Sequence, residues 1–177
     1  MYPVPDSSQA QALIGRAFPN LALRATTGGL LTGDELSADR FVLFVYPRTG
    51  RPDRAESPEW ELLPGAKGCT AETCEFRDLA ADYAAAGYKL YGLSSQETGD
   101  QTEASVRLHL PYPLLSDPDF TLASALQLPT FEFLGERLYV RSTLVVEHGT
   151  IAGAELGITD AAGHPRRLLA ALGSNHS

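Results

Sequence analysis

Cys69 and Cys74 are the only two cysteines in the chain, and they stand together in Gly68-Cys69-Thr70-Ala71-Glu72-Thr73-Cys74-Glu75-Phe76-Arg77-Asp78, a segment patterned as the start of a helix. A thiol at a helix N-terminus meets a partial positive charge, which favours thiolate over thiol. A second thiol five positions on is placed to capture whatever the first becomes on oxidation. The pair suits a reactive cysteine and a resolving partner.

Other chemistries fit less well. A structural zinc site needs about four Cys or His ligands, and the histidines (His109, His148, His164, His176) show no paired spacing. The Cys-x4-Cys spacing is not the Cys-x-x-Cys of a disulfide exchanger, and no local signature supports a Cys-His protease. A structural disulfide closing so short a loop removes little chain entropy. A chain of 177 residues buries roughly 70% of its unfolded surface without staples.

The net charge is −8 and the pI about 4.9, which argues against nucleic acid and anionic membrane surfaces as partners. No apolar run approaches the ~20 residues of a membrane span. The N-terminal stretch Met1-Tyr2-Pro3-Val4-Pro5-Asp6-Ser7-Ser8 lacks the basic and apolar regions of a signal peptide. The expected home is the cytoplasm, where paired thiols are more often catalytic or redox-sensing than structural.

The elements that must position the cysteines follow from the patterning. Phe41-Val42-Leu43-Phe44-Val45-Tyr46 reads as a strand buried on both faces. Residues 48–68, rich in proline and glycine and carrying the lone Trp60, read as a long loop with a short helical turn around Pro58–Leu63. Its charges balance, with Arg48, Arg51, Arg54 and Lys67 against Asp53, Glu56, Glu59 and Glu61. One helix is expected from Thr70, its N-cap, to Ala86, with Glu72 suited to its positive end, Phe76, Leu79, Ala80 and Tyr83 on one face and Gly87 beyond its end. Tyr88 to Leu93 reads as a second buried strand, 98–110 as a helix, and Leu114-Leu115 as a short strand. Asp117-Pro118 starts a helix to Leu126. Arg141 to Glu155 forms a hairpin turning at His148-Gly149, and Arg166 to Leu172 a closing helix. Asn20 to Ala25 is expected as an edge strand and residues 1–16 as a loosely held arm. Strands alternating with helices give an α/β fold, a mixed sheet with helices on its faces, in a single domain over 1–177. A strand ending at Tyr46-Pro47 then leads to the helix carrying Cys69, and open α/β sheets place their sites at the carboxyl ends of strands.

In three places the sequence resembles the peroxiredoxins of the Q-type, or bacterioferritin-comigratory, group. Gly68-Cys69-Thr70 with Cys74-Glu75-Phe76-Arg77-Asp78 is similar to that group's Gly-Cys-Thr-x3-Cys-x-Phe-Arg-Asp segment. Phe44-Val45-Tyr46-Pro47 resembles its strand ending in Tyr-Pro, and Arg141-Ser142-Thr143-Leu144-Val145-Val146 its Arg-x-Thr strand. The resemblance runs from about Pro19 to Leu156. It implies a thioredoxin-like fold, with Cys69 as peroxidatic cysteine, Cys74 as resolving cysteine and Arg141 as the activating arginine. It also implies a hydroperoxide substrate, thioredoxin or a similar dithiol as reductant, no metal, flavin or haem, and a monomer or weak dimer. The usual signature, Pro-x3-Thr-x2-Cys, is displaced: Pro47 stands 22 positions before Cys69, where Ala66 takes the threonine's place, so about 15 residues are inserted. Thr49 is the candidate for the missing hydroxyl. Arg77 is read as a surface or packing residue, Trp60 as a loop anchor, and the histidines as surface or turn residues.

The spacing carries a mechanical expectation. Cα atoms five residues apart in a regular helix are roughly 8.7 Å apart, and a disulfide spans about 4.4–6.8 Å. The segment from about Gly68 to Phe76 must therefore unwind before the bond closes. Two other readings use the same pair: a non-catalytic redox sensor or binding module of thioredoxin fold, with 48–68 as its contact region, and a general disulfide exchanger.

Overall fold

The computed structural model describes residues 7–50, 56–63, 66 and 68–175. Its framework is a seven-stranded sheet among those residues. In chain order the strands are β1 (Ala22–Ala25), β2 (Leu30–Thr32), β3 (Phe41–Val45), β4 (Lys89–Ser94), β5 (Leu114–Ser116), β8 (Ser142–Glu147) and β9 (Thr150–Leu156), arranged β2-β1-β5-β4-β3-β8-β9. A separate antiparallel hairpin is formed by β6 (Thr130–Phe133) and β7 (Glu136–Tyr139).

All five residues of β3 are fully buried, because β4 pairs with it in parallel on one side and β8 antiparallel on the other. Alternation then feeds two cores. Phe41, Leu43 and Val45 face a core with Leu93, Leu122, Leu126, Tyr139 and Leu144. Val42 and Phe44 face the other with Phe76, Tyr83, Tyr88, Tyr112 and Cys69 itself. On that second face lie α4 (Cys69–Asp78), α5 (Ala80–Ala85) and α8 (His164–Asn175). Phe76 anchors α4 by stacking on Phe44, with centroids 4.4 Å apart, and Tyr112 donates a 2.6 Å hydrogen bond to the Thr73 carbonyl.

Several expectations hold with shifted bounds. The helix around Pro58 is α3 (Pro58–Glu61), capped by Ser57. The helix over 98–110 is α6 (Thr98–Arg107), ending before His109 turns to φ 54°. The late hairpin turns through His148 and Gly149, both at positive φ. The expected helix 70–86 is two: Leu79 leaves helical geometry at φ −99°, ψ 4°, although its N–H still reaches the Glu75 carbonyl. α4 begins one residue early, at Cys69, and Gly68 rather than Thr70 is its N-cap.

Other expectations are overturned. β1 is not an edge strand; it pairs with β2 and β5, and β2 takes the edge. Residues 7–16 are not a loose arm, since α1 (Ser7–Leu13) buries Leu13 and the Gly15 N–H bonds the Ile151 carbonyl; residues 1–6 lie outside the described residues. α7 (Thr121–Leu126) starts later than Asp117-Pro118 suggests. The Asp117 carboxylate reaches forward to accept from the Thr121 and Leu122 N–H groups at 2.9 and 3.0 Å. His164 is buried, not a surface residue: its Nε2 lies 2.9 Å from the Thr143 hydroxyl and its Nδ1 3.3 Å from Glu155.

Candidate active site

Cys69 is the first residue of α4, just beyond the carboxyl end of β3. Gly68 makes that approach feasible. Its φ of 101° is left-handed, open to glycine at little cost, and a Cβ there would sit 2.9 Å from the Ala161 Cβ. The helix leaves the Cys69 sulfur almost fully buried.

The sequence reading brings Cys69 and Arg141 together, and the structure does the same. Arg141, just before β8, is fully buried, and its Nη2 lies 3.1 Å from the Cys69 Sγ. The same nitrogen donates to the Ala66 carbonyl at 3.2 Å. That carbonyl also lies 3.7 Å from the sulfur, as acceptor for the thiol. Tyr46, at the strand end, packs in the same buried cluster as Cys69. Thr49 is buried nearby, but its N–H and hydroxyl both go to the Gln96 Oε1, at 3.1 and 3.3 Å, and not to Cys69. Arg77 turns away, donating to the Leu108 carbonyl at 2.8 Å and to Asp78 at 2.9 Å. Cys74 is half-buried, and both thiols are free.

Glu72 is the site residue that the sequence reading assigns only to the helix end. One turn after Cys69, its fully buried carboxylate takes the Arg141 Nη1 at 2.7 Å, and its second oxygen has no hydrogen-bond partner among the described residues. A buried guanidinium without a counter-charge is costly, so Glu72 holds Arg141 in place while Nη2 serves the sulfur. The signal was available: three positions separate Cys69 from Glu72, which puts both on one helix face. Its partner, 69 residues away, was not.

Electrostatics overturn the opening expectation of a favoured thiolate. Burial pushes the Cys69 thiol up, with the Glu72 carboxylate adding to the push; the Arg141 charge and hydrogen bond and the Arg48 N–H pull the other way. Desolvation outweighs the rest, as it does for charged groups in dry surroundings. Burial likewise raises Glu72, opposed mainly by Arg141. In this closed arrangement the Cys69 sulfur lies within hydrogen-bond reach of the Ala66 carbonyl.

Trp60 anchors the insertion. It is buried against Phe131 and Phe133, with centroids 6.4 and 5.1 Å away, in a third apolar cluster that includes Ala66, Leu138 and Val140. Arg51, Asp53, Arg54 and Lys67 lie outside the described residues.

Comparison with known proteins agrees with this geometry. The model of the AhpC/TSA family matches residues 63–154. A putative peroxiredoxin bcp of Coxiella burnetii is 28% identical over 109 residues, 62% of each chain. Peroxiredoxin bcp1 of Schizosaccharomyces pombe is 28% identical over 150 residues, 84% of this chain and 68% of that one. Among solved structures, peroxidoxin BcpB from Mycobacterium tuberculosis superposes with a TM-score of 0.73 at 27% identity, over 93% of this chain and 98% of its own. Xanthomonas campestris peroxiredoxin Q shares the fold at a TM-score of 0.74 and 24% identity, over 96% and 99%. With the family model spanning more than half of the sequence, and with a thiol and an arginine meeting at the end of its central strand, the chain belongs to the AhpC/TSA family, and the relatives it resembles are named peroxiredoxins.

Proposed function

We propose that this protein is a thiol peroxidase that reduces hydrogen peroxide or organic hydroperoxides, with Cys69 as the attacking thiol, Cys74 as the resolving thiol and Arg141 as the activating group. The observation that carries the reading is the 3.1 Å approach of the buried Arg141 Nη2 to the buried Cys69 sulfur at the end of β3. Cys69 loses its proton and attacks one peroxide oxygen. The O–O bond breaks, and the other oxygen leaves as hydroxide or alkoxide and takes a proton to become water or alcohol. Arg141, permanently charged and with several donors, stabilises the thiolate and the oxygen that gathers charge. The sulfenic acid on Cys69 then condenses with the Cys74 thiol, releasing water and forming a disulfide. A dithiol protein of the thioredoxin kind reduces that disulfide by exchange.

Both cysteines lie in the one ten-residue helix α4, so the disulfide forms only after that helix opens. Thr49 acts through Gln96, as a brace of the strand-end segment, and not as a direct contact to the thiol. Its expected setting is the cytoplasm, as a monomer or weak dimer. Among the described residues no helix is long and apolar enough to cross a membrane.

The test is peroxide turnover with thioredoxin, its reductase and NADPH. Many equivalents are consumed by the parent, none by Cys69→Ser, and about one by Cys74→Ser when no other thiol is supplied. A single equivalent consumed by the parent would support the sensor reading. Full turnover by Cys69→Ser would overturn the assignment.

A further inference from the structure

The 15-residue displacement between Pro47 and Cys69 leaves the sulfur without the threonine that the family signature supplies. The segment that replaces it must be held by something. Tyr46 spends its N–H on the Leu93 carbonyl, and Pro47 has none. On the far side of the insertion the Ala66 carbonyl lies 3.7 Å from the Cys69 sulfur; on this side the first main-chain donor beyond β3 is that of Arg48.

The Arg48 side chain runs the other way and closes a clamp. Its Nη2 meets Glu56 of the insertion at 2.7 Å and its Nη1 meets Glu136 of β7 at 2.8 Å. Its guanidinium lies over the Trp60 ring at 4.3 Å and near the Phe133 ring at 5.7 Å. One residue thus ties three pieces together: the strand end, the inserted helix α3 and the hairpin β6–β7, and the Trp60 ring it covers packs in one cluster with Ala66. A planar guanidinium can stack and pair with two carboxylates at once, whereas an ammonium cannot. Two neighbouring braces adjoin the clamp. Thr49 rests on Gln96, and the Gly50 carbonyl accepts from Arg107 at 3.0 Å.

We infer that Arg48 is a positioning residue for peroxide attack: its side-chain clamp fixes the Trp60 cluster and, through Ala66, the carbonyl that accepts from the Cys69 thiol, and so takes over part of the task of the missing threonine. The inference rests on Cys69 being the attacking thiol. The charged and titratable groups around that sulfur are Arg141, just before β8, its partner Glu72 in α4, and Tyr46 of the same buried cluster; Arg48 acts on it through the cluster that holds Ala66.

The experiment measures the rate of Cys69 oxidation by hydrogen peroxide in a Cys74→Ser background, across pH and salt. Hydrogen peroxide is uncharged, so salt does not alter its encounter with the site. The clamp pairs are partly exposed, and salt near 1 M, where the screening length is about 3 Å, weakens them. Arg48→Met is expected to lower the rate about tenfold, to move the rise of rate with pH to higher pH, and to abolish the slowing by salt that the Cys74→Ser protein shows. Arg48→Lys falls between the two. Should Arg48→Met fail to fold, the double variant Glu56→Gln/Glu136→Gln removes the anchors and is expected to reproduce the lost salt response. An unchanged rate, pH profile and salt response in Arg48→Met, or in the double variant if that is the one that folds, overturns the inference. If the Cys74→Ser protein itself consumes no peroxide, the assignment of Cys69 fails instead, before Arg48 is tested.

Discussion

Two walls enclose the Cys69 sulfur, and they are built differently. One wall is α4 with the start of β8. It is fixed by a fully buried ion pair, Arg141 with Glu72, and by Phe76 stacked on Phe44 of the central strand. The other is the strand end with its insertion. It is fixed by an outlying cluster around Trp60 and by partly exposed pairs at Arg48. Ala66 joins them: it sits in the outlying cluster while its carbonyl accepts from Arg141. Buried charge pairs punish the loss of either partner severely, whereas exposed ones contribute about 0–1 kcal/mol. The first wall therefore sets whether the site exists, and the second tunes how well the thiol is placed.

Changes to each wall sharpen that contrast. Arg141→Met leaves Glu72 buried without its counter-charge and is expected to cost about 3–5 kcal/mol, read by urea unfolding, together with most of the peroxidase rate. If its unfolding midpoint equals that of the parent, the buried pair does not organise the first wall. Phe76→Ala is expected to cost about 3–5 kcal/mol, because the ring is fully buried in the main core. Trp60→Ala, in the outlying cluster, should shift the global transition by less than half as much while still slowing peroxide attack. Equal shifts would erase the distinction between the walls. Gly68→Ala forces a side chain into a left-handed conformation and against Ala161; a loss of about 1–3 kcal/mol is expected, with a slower reaction at Cys69. Finally, because burial raises the Cys69 thiol, the thiolate fraction grows with pH across the neutral range. The rate of attack should still be climbing between pH 7 and 9, by up to about tenfold per unit. A plateau from pH 6 upward would show a thiol already ionised.

The contrast also explains what the sequence revealed. The first wall was legible because its parts are local or carry strong types: two cysteines at a helix mouth, an unbroken apolar run for β3, and an arginine opening a β-rich run. Glu72 was seen only as a helix-end charge, since its meaning depends on a partner 69 residues away. The second wall was mostly illegible. Leu134-Gly135 is not a usual hairpin turn sequence, yet it closes β6–β7 with both residues at positive φ, and this hairpin is what receives Trp60. The misreading of β1 as an edge strand has the same cause: alternation reports which face is buried and is silent about neighbours. His164 was misplaced because a histidine that opens a helix carries no sign of the Thr143 and Glu155 it meets in space.

The central claim is that Cys69 and Cys74 exchange a closed helix for a disulfide once per turnover. Amide hydrogen exchange across residues 69–76, compared between the reduced and peroxide-oxidised protein, tests it most directly. In the reduced state the Glu72 N–H is held by the Gly68 carbonyl at 2.8 Å, and protection is expected. Oxidation is expected to accelerate exchange there at least tenfold, while Leu43 and Leu144 in the central sheet stay protected. Unchanged protection of 69–76 in a protein shown by mass to carry the Cys69–Cys74 disulfide would contradict the account.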